Sequence, residues 1–281
     1  MTKTSGTLPI VFFMLLIVLP FSAGLLYAVL YSFGIIGLLN HGFTFDHWTA
    51  VLTSSEVLRS FLFTIIIGTV SLIVALSLSL LFVVMGRKNP NGWSSYFIYL
   101  PLTLPAMVAA FFTFQFLSRS GFISRIFNAL GFTRGIDGFP DLVNDSFGIG
   151  ILFSHVMLAV PFFIVLFQNY YQSEKLATLR ALADTLGATA SQFNGKILVP
   201  VLLKKSAAPL ALYFLFMLGS FEIPLLLGQQ DPQIISVLIN RKLSRFDLNS
   251  IPQGYIIAIL YTVGVSFLLL SIIKTKKNSD G

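Results

Sequence analysis

Cysteine is absent from the chain, which excludes disulfides, Cys-ligated metals and thiol chemistry together. Charge is scarce too. Only 10% of the 281 residues are Asp, Glu, Lys or Arg, while 56% are hydrophobic, a balance too apolar for a soluble globule. No internal repeat of roughly 20–50 residues is visible, which sets solenoids aside. The three histidines, His41, His47 and His155, are scattered and do not compose a metal site. The pair Gly195-Lys196 is no phosphate-binding loop, because Ala190 and Ile197 stand where that motif needs Gly and Ser or Thr. Ser154 adjoins His155, but helical neighbours point about 100° apart, so the two cannot act as nucleophile and base. No catalytic constellation is expected.

What the chain has is hydrophobic length. A helix needs about 20 residues to cross the ~30 Å apolar core of a bilayer. Six such runs can be drawn, at about Leu8–Phe33, Phe61–Met85, Tyr96–Leu117, Phe147–Phe167, Ala207–Leu227 and Gly254–Ile273. Each is bounded by charge, Gly or Pro. The expected fold class is all-α, a polytopic membrane protein of six transmembrane helices. The first run extends to about Leu39, far beyond a signal peptide's apolar region, so a retained first span is expected. The net charge of +7 does not indicate a nucleic-acid partner, since the basic residues sit in short loops beside apolar spans. Membrane lipid is the expected surround.

With both termini placed in the cytoplasm, the inside segments hold Lys3, Arg87, Lys88, Lys175, Arg180, Lys196, Lys204, Lys205, Lys274, Lys276 and Lys277. The outside segments hold the smaller set Arg59, Arg119, Arg125, Arg134, Arg241, Lys242 and Arg245. The short turn Gly86–Gly92 and the Lys-rich tail carry the clearest inside signal. The domain reading is a first span with an external loop over 1–60, a transmembrane core over 61–273 and a cytoplasmic tail over 274–281. The outer loops are too small to fold into a solute-capturing domain, so a captured solute would have to arrive on another protein.

Between the fourth and fifth spans, residues 174–200 are too polar to span and too apolar to be disordered. Leu176, Leu179, Leu182, Ala183 and Leu186 recur at three- and four-residue steps, which predicts an amphipathic helix ending near Gly187. Gly187 can turn left-handed without side-chain cost. A second helix can then start with Thr189 or Ser191 as cap, and Pro200 marks the return to the bilayer. The plain physical alternative is an amphipathic helix lying on lipid headgroups, but the mixed charge of Glu174, Lys175, Arg180 and Asp184 suits a protein socket better.

This loop resembles the "EAA" loop in the membrane subunits of binding-protein-dependent ABC importers. Ala183, Gly187, Ala188, Gln192, Ile197 and Pro200 fall in register with the family pattern. Ala181 stands where the family has its Glu, Leu182 replaces the first Ala, and Val199 replaces the Leu before the Pro. The resemblance runs from about Phe61 to Ile273 and includes Pro161-Phe162-Phe163 and the segment Gly219–Gly228. That last segment, with Asp247 and Pro252–Tyr255, looks like the branch serving polyamines, ferric ion, thiamine or phosphonates rather than the sugar branch.

The resemblance implies a type I ABC importer permease in a bacterial plasma (inner) membrane, forming half of a solute pathway. Its implied partners are cytoplasmic ABC ATPase subunits, a second permease subunit, identical or sister, and an external solute-binding protein. The chain itself would bind no cofactor and hydrolyse nothing, ATP being used by the partner. The coupling residues carried over are Ala181, Leu182, Ala183, Leu186, Gly187, Ala188, Gln192 and Pro200. With no Glu at position 181, docking is expected to rest on shape and apolar contact around Leu182, Ala183, Gly187 and Ala188.

Two further residues are candidates for the substrate path. Glu222 is the only acid inside a predicted span, about 25 Å up the fifth helix from Lys205. It either lines the path of a cationic solute or reaches the outer interface or a loop Arg. His155 either lines the path or is hydrogen-bonded within the bundle. The rival reading of the whole chain is an ion-gradient-driven secondary transporter, against which stands the missing inverted repeat.

Overall fold

The computed structural model describes residues 7–37, 42–85 and 99–279. The turn Gly86–Gly92, Lys3, and the start of the expected third span at Tyr96 lie outside those residues. The described chain is helical, and six of its helices are long and apolar enough to cross a membrane. They are α1 (residues 7–32), α3 (Ser55–Met85), α4 with α5 (Ala106–Leu117 and Phe122–Ala129), α6 (Ile149–Ser173), α8 (Ala190–Leu218) and α11 (Ser250–Ser279). Short helices join them: α2 (Asp46–Leu52), α7 (Leu176–Thr185), α9 (Glu222–Leu227) and α10 (Ile235–Leu243).

Proline shapes several of these helices. In α1 the turn at Met14–Val18 widens to π-type pairing just before Pro20, and Leu19 N–H donates to Met14 O. The same device recurs in α8, where Asn194–Leu198 widens ahead of Pro200 and Val199 N–H donates to Asn194 O. A proline has no N–H to give the carbonyl one turn back, so the wider turn re-pairs the neighbouring groups.

Elsewhere proline and glycine move the boundaries expected from hydropathy. Regular helix does not run unbroken through the expected third span. Pro101 lies in a tight turn at Leu100–Thr103, Leu104 is extended ahead of Pro105, and regular helix starts at Ala106. The fifth apolar run is not one helix either. α8 starts at Ala190, inside the expected loop, and stops at Leu218. The chain breaks at Gly219-Ser220-Phe221, then restarts as α9 at Glu222.

The chain divides into two compact units. One is formed by Met1–Ser60 and Ile235–Leu268. Within it Tyr27, Tyr31 and Tyr255 stack their rings 4.9–5.9 Å apart. Glu56 pairs with Arg241 and, at 3.2 Å, with Lys242, whose ammonium also donates to Gln253 Oε1. Residues 11–27 of α1 are exposed along their whole length, an apolar surface that suits lipid.

The other unit is formed by Phe61–Ile234 and Leu269–Gly281, and it carries the candidate site. Its two apolar clusters sit toward opposite ends of α6. One joins Ile67, Ala110, Leu117, Val143, Ile151, Ile223, Leu227 and Ile234. The other joins span residues Ala75, Ala159, Phe163, Phe167, Leu202 and Met217 to Leu176, Ala183 and Phe193 of the loop. Asp145 caps the start of α6, accepting the N–H groups of Phe147 and Ile149 at 2.9 Å each.

Candidate functional site

The polar loop between α6 and α8 is a compact helix–turn–helix. α7 ends in a Schellman closure: Gly187 N–H donates to Asp184 O (3.1 Å) and Ala188 N–H to Ala183 O (2.9 Å). Gly187 has φ +77°, the left-handed region that side chains avoid. Two residues later α8 opens on a capping box. Thr189 N–H donates to Gln192 Oε1 (2.9 Å), and Gln192 N–H donates to Thr189 Oγ1 (3.3 Å). Of the two caps open from sequence, Thr189 is the one used. Gln192 thus has a local structural task, and Thr189-Ala-Ser-Gln192 is the sequence signal for it.

A cation ties the two helices together. Arg180 pairs with Asp184 at 2.6 Å, donates to Thr189 O at 3.4 Å and lies over the Phe193 ring at 5.3 Å. Nothing local in the sequence says that the reach of Arg180 ends on α8. A second pair, Lys205 with Glu174 at 2.8 Å, joins the C-terminal end of α6 to α8.

The apolar stripe of α7 is split lengthwise. Leu176 is fully buried and Ala183 nearly so, both in the cluster that continues into the spans. Leu179, Leu182 and Leu186 follow on the adjoining edge and are 40%, 56% and 86% exposed. Ala181, Gly187 and Gln192 are exposed, Ala188 is half-buried, and Pro200 lies exposed just beyond the widened turn of α8. The loop is a knob seated in its own bundle by one edge and open along the other. Burying a leucine side chain contributes about 2 kcal/mol, so three on one edge are a strong inducement to a partner surface.

The two residues considered for the path sit differently. His155 is 5% exposed on the packed side of α6, and neither ring nitrogen has a hydrogen-bond partner among the described residues. This departs from the expectation of a hydrogen-bonded histidine. Its neighbour Ser154 instead pairs with Thr113 at 2.6 Å. Glu222 is exposed at the head of α9, directly after the break at 219–221. It forms no ion pair with a described residue, so the expected alternative of a loop Arg partner is not realised among them. A continuous fifth helix would have carried it farther along one axis; the break sets it at the start of a new one.

No protein-family model matches the chain, and no curated protein sequence matches it. Solved structures do. The chain is similar to one in the crystal structure of a bacterial ABC transporter involved in the import of the acidic polysaccharide alginate, at 20% identity and TM-score 0.70 over 95% of this chain and 93% of that one. It is also similar to a chain of a bacterial alginate ABC transporter in complex with alginate pentasaccharide-bound periplasmic protein. There the identity is 20% and the TM-score 0.75, over 95% of this chain and 90% of that one. At this identity the likeness is one of fold: six helices long and apolar enough to cross a membrane, arranged as in those bacterial ABC transporters.

Proposed function

We propose that the chain is a permease subunit of a binding-protein-dependent ABC importer and forms half of a solute path through a bacterial plasma membrane. The observation that carries this reading is the knob: an exposed leucine edge on a loop whose other edge is packed continuously into the spans. A membrane-surface helix would have no need of such a rigid seat. A transmission element needs both faces, one to receive a push and one to pass it on. The fold likeness to alginate importers supports the same reading.

In this scheme a separate ATPase receives Leu179, Leu182 and Leu186 in an apolar groove. Closure of the ATPase dimer around ATP moves α7, and Leu176, Ala183 and Phe193 carry that movement into α6 and α8. The partner permease is a second copy or a sister chain, and an external binding protein delivers the solute. Both termini lie in the cytoplasm. The solute belongs to the class carried by the polyamine, ferric, thiamine or phosphonate branch, on the resemblance of Gly219–Gly228 and Pro252–Tyr255. Glu222, exposed and without an ion-pair partner among the described residues, is the group we assign to the solute path.

The test is recruitment. Leu182→Asp puts a charge in the exposed edge and leaves the buried edge untouched. The variant is expected to reach the membrane at wild-type level and to lose co-purification with its ATPase subunit, by tenfold or more for a few kcal/mol, on the order of one buried leucine plus one buried charge. Full retention of the ATPase would overturn the assignment of the knob.

A further inference from the structure

At the end of α6 opposite the knob, α4 closes into a sharp reversal. Gly121 N–H donates to Ser118 O at 2.8 Å, and a Cβ at Gly121 would stand 2.7 Å from Gln115 O and 2.9 Å from Phe116 O. Backbone atoms cannot yield as side chains do, so the reversal requires glycine. α5 follows at once, which holds it beside the end of the apolar helix α4. Phe122, Ile126 and Leu130, at steps of four, are 54%, 40% and 65% exposed and form one apolar face, edged at Phe122 by the Phe116 ring 5.3 Å away.

The flank of α5 away from that face borders a cavity of about 270 Å³ lined by Arg119, Ser120, Ser124, Arg125, Asn128 and Gly135. The lining holds two guanidinium groups and no acid. Arg119 is committed to Asp141, which it meets with Nε and Nη2 at 2.6 Å each. Arg125 uses Nε on Ser120 O (3.1 Å) and forms no ion pair with a described residue. Among the described residues, Gly135 N–H is held by a single 3.4 Å bond to Asn128 Oδ1.

We propose that this cavity binds the phosphate of a phospholipid headgroup, with α5 lying in the membrane interface. The Nη groups of Arg125 match two phosphate oxygens in the fork geometry that guanidinium groups favour. The Ser120 hydroxyl and Gly135 N–H are further donors at the rim. The apolar face of Phe122, Ile126 and Leu130 meets the glycerol and upper acyl region, as an interfacial amphipathic helix does. Charge and the apolar face together select a lipid: a free anion would leave that face unused, and it adjoins the apolar helix α4. The inference rests on the chain crossing a membrane and is independent of which solute it carries.

The full chain in detergent, followed by native mass spectrometry, gives the first measurement. Dioleoyl phosphatidylglycerol is titrated in parallel with dioleoylglycerol, which has the same tails and no phosphate, and with inorganic phosphate. The wild type is expected to retain phosphatidylglycerol over both. Arg125→Gln is expected to lower its bound fraction about tenfold, as loss of a charged hydrogen-bond donor does, and Arg125→Lys to recover part of it. Equal retention of dioleoylglycerol, or no loss in Arg125→Gln, overturns the proposal. Inorganic phosphate binding as tightly as the lipid makes this a free-anion site and overturns it too.

The second measurement uses the absence of native cysteine. A spin label on Phe122→Cys, in vesicles containing phosphatidylglycerol, is expected to collide more often with oxygen than with an aqueous nickel chelate. The reverse order, or a label shielded only when an external protein is added, means a protein docks there instead and sinks the lipid assignment.

Discussion

Gly187 holds φ at +77° with open space around it, so its task is conformational rather than one of fit. A β-branched residue rarely tolerates that region, and the strain is on the order of 1–2 kcal/mol or more. Gly187→Val is therefore expected to open the turn and misaim Leu182 and Leu186 while the spans insert normally. The measurement is solute uptake together with ATPase co-purification from membranes; normal values of both would remove the turn from the mechanism. Ala181 is a milder case. It is exposed among polar neighbours, so Ala181→Glu is expected to leave membrane level and uptake intact.

Glu222 belongs to the same scale. Its carboxylate is exposed at a helix break and has no ion-pair partner among the described residues. If it meets a cationic solute, Glu222→Gln keeps size and hydrogen bonding and removes only the charge. Uptake should then weaken, by about tenfold in apparent affinity for one charged contact, with the assembled complex intact. Uptake kinetics identical to wild type would assign Glu222 to the interface instead.

At the scale of elements, the knob is stabilised by local devices with separable costs. Thr189→Ala removes one half of the capping box and is expected to cost about 1 kcal/mol at the start of α8. Hydrogen exchange should show faster amide exchange at 190–193 while α6 remains protected. Uniform exchange across both helices would mean that the box contributes nothing. The helix–Gly–helix form was legible in sequence because its signals are short-range: a three- and four-residue apolar step, a glycine, and Thr-x-x-Gln. The break at Gly219-Ser220-Phe221 was not. Gly219, Pro224 and a single acid are each tolerated inside membrane helices, so none of them by itself separates one helix from two. The interruption of the third run is likewise invisible to hydropathy, since Tyr96–Leu117 is long and apolar enough to span and it is Pro101 and Pro105 that break the regular helix.

For the whole molecule, an even number of spans places both ends on one side. Reporter fusions at the C-terminus and at Asn89 are expected to read cytoplasmic, and fusions near Asp137 and Gln230 external. A C-terminus found outside would overturn the six-span scheme, and with it the side from which an ATPase could reach Leu182.

Span count and candidate knob are legible in one dimension, because hydrophobic length and short-range spacing are properties of neighbours along the chain. That is why six spans, an amphipathic α7 and a turn at Gly187 could be read from residues alone. Which edge of α7 stays open could not. Leu176, Leu179, Leu182, Ala183 and Leu186 are equivalent members of one stripe in sequence, and only the arrival of Phe163, Phe167 and Phe193 beside it buries Leu176 and Ala183 and leaves the other three leucines bare. The same holds for His155, buried without a hydrogen bond to any described residue, for the reach of Arg180 to Thr189 and for the cavity beside Arg125. Each depends on groups far apart in sequence being brought together, and burial is a property of that assembly rather than of any segment in it.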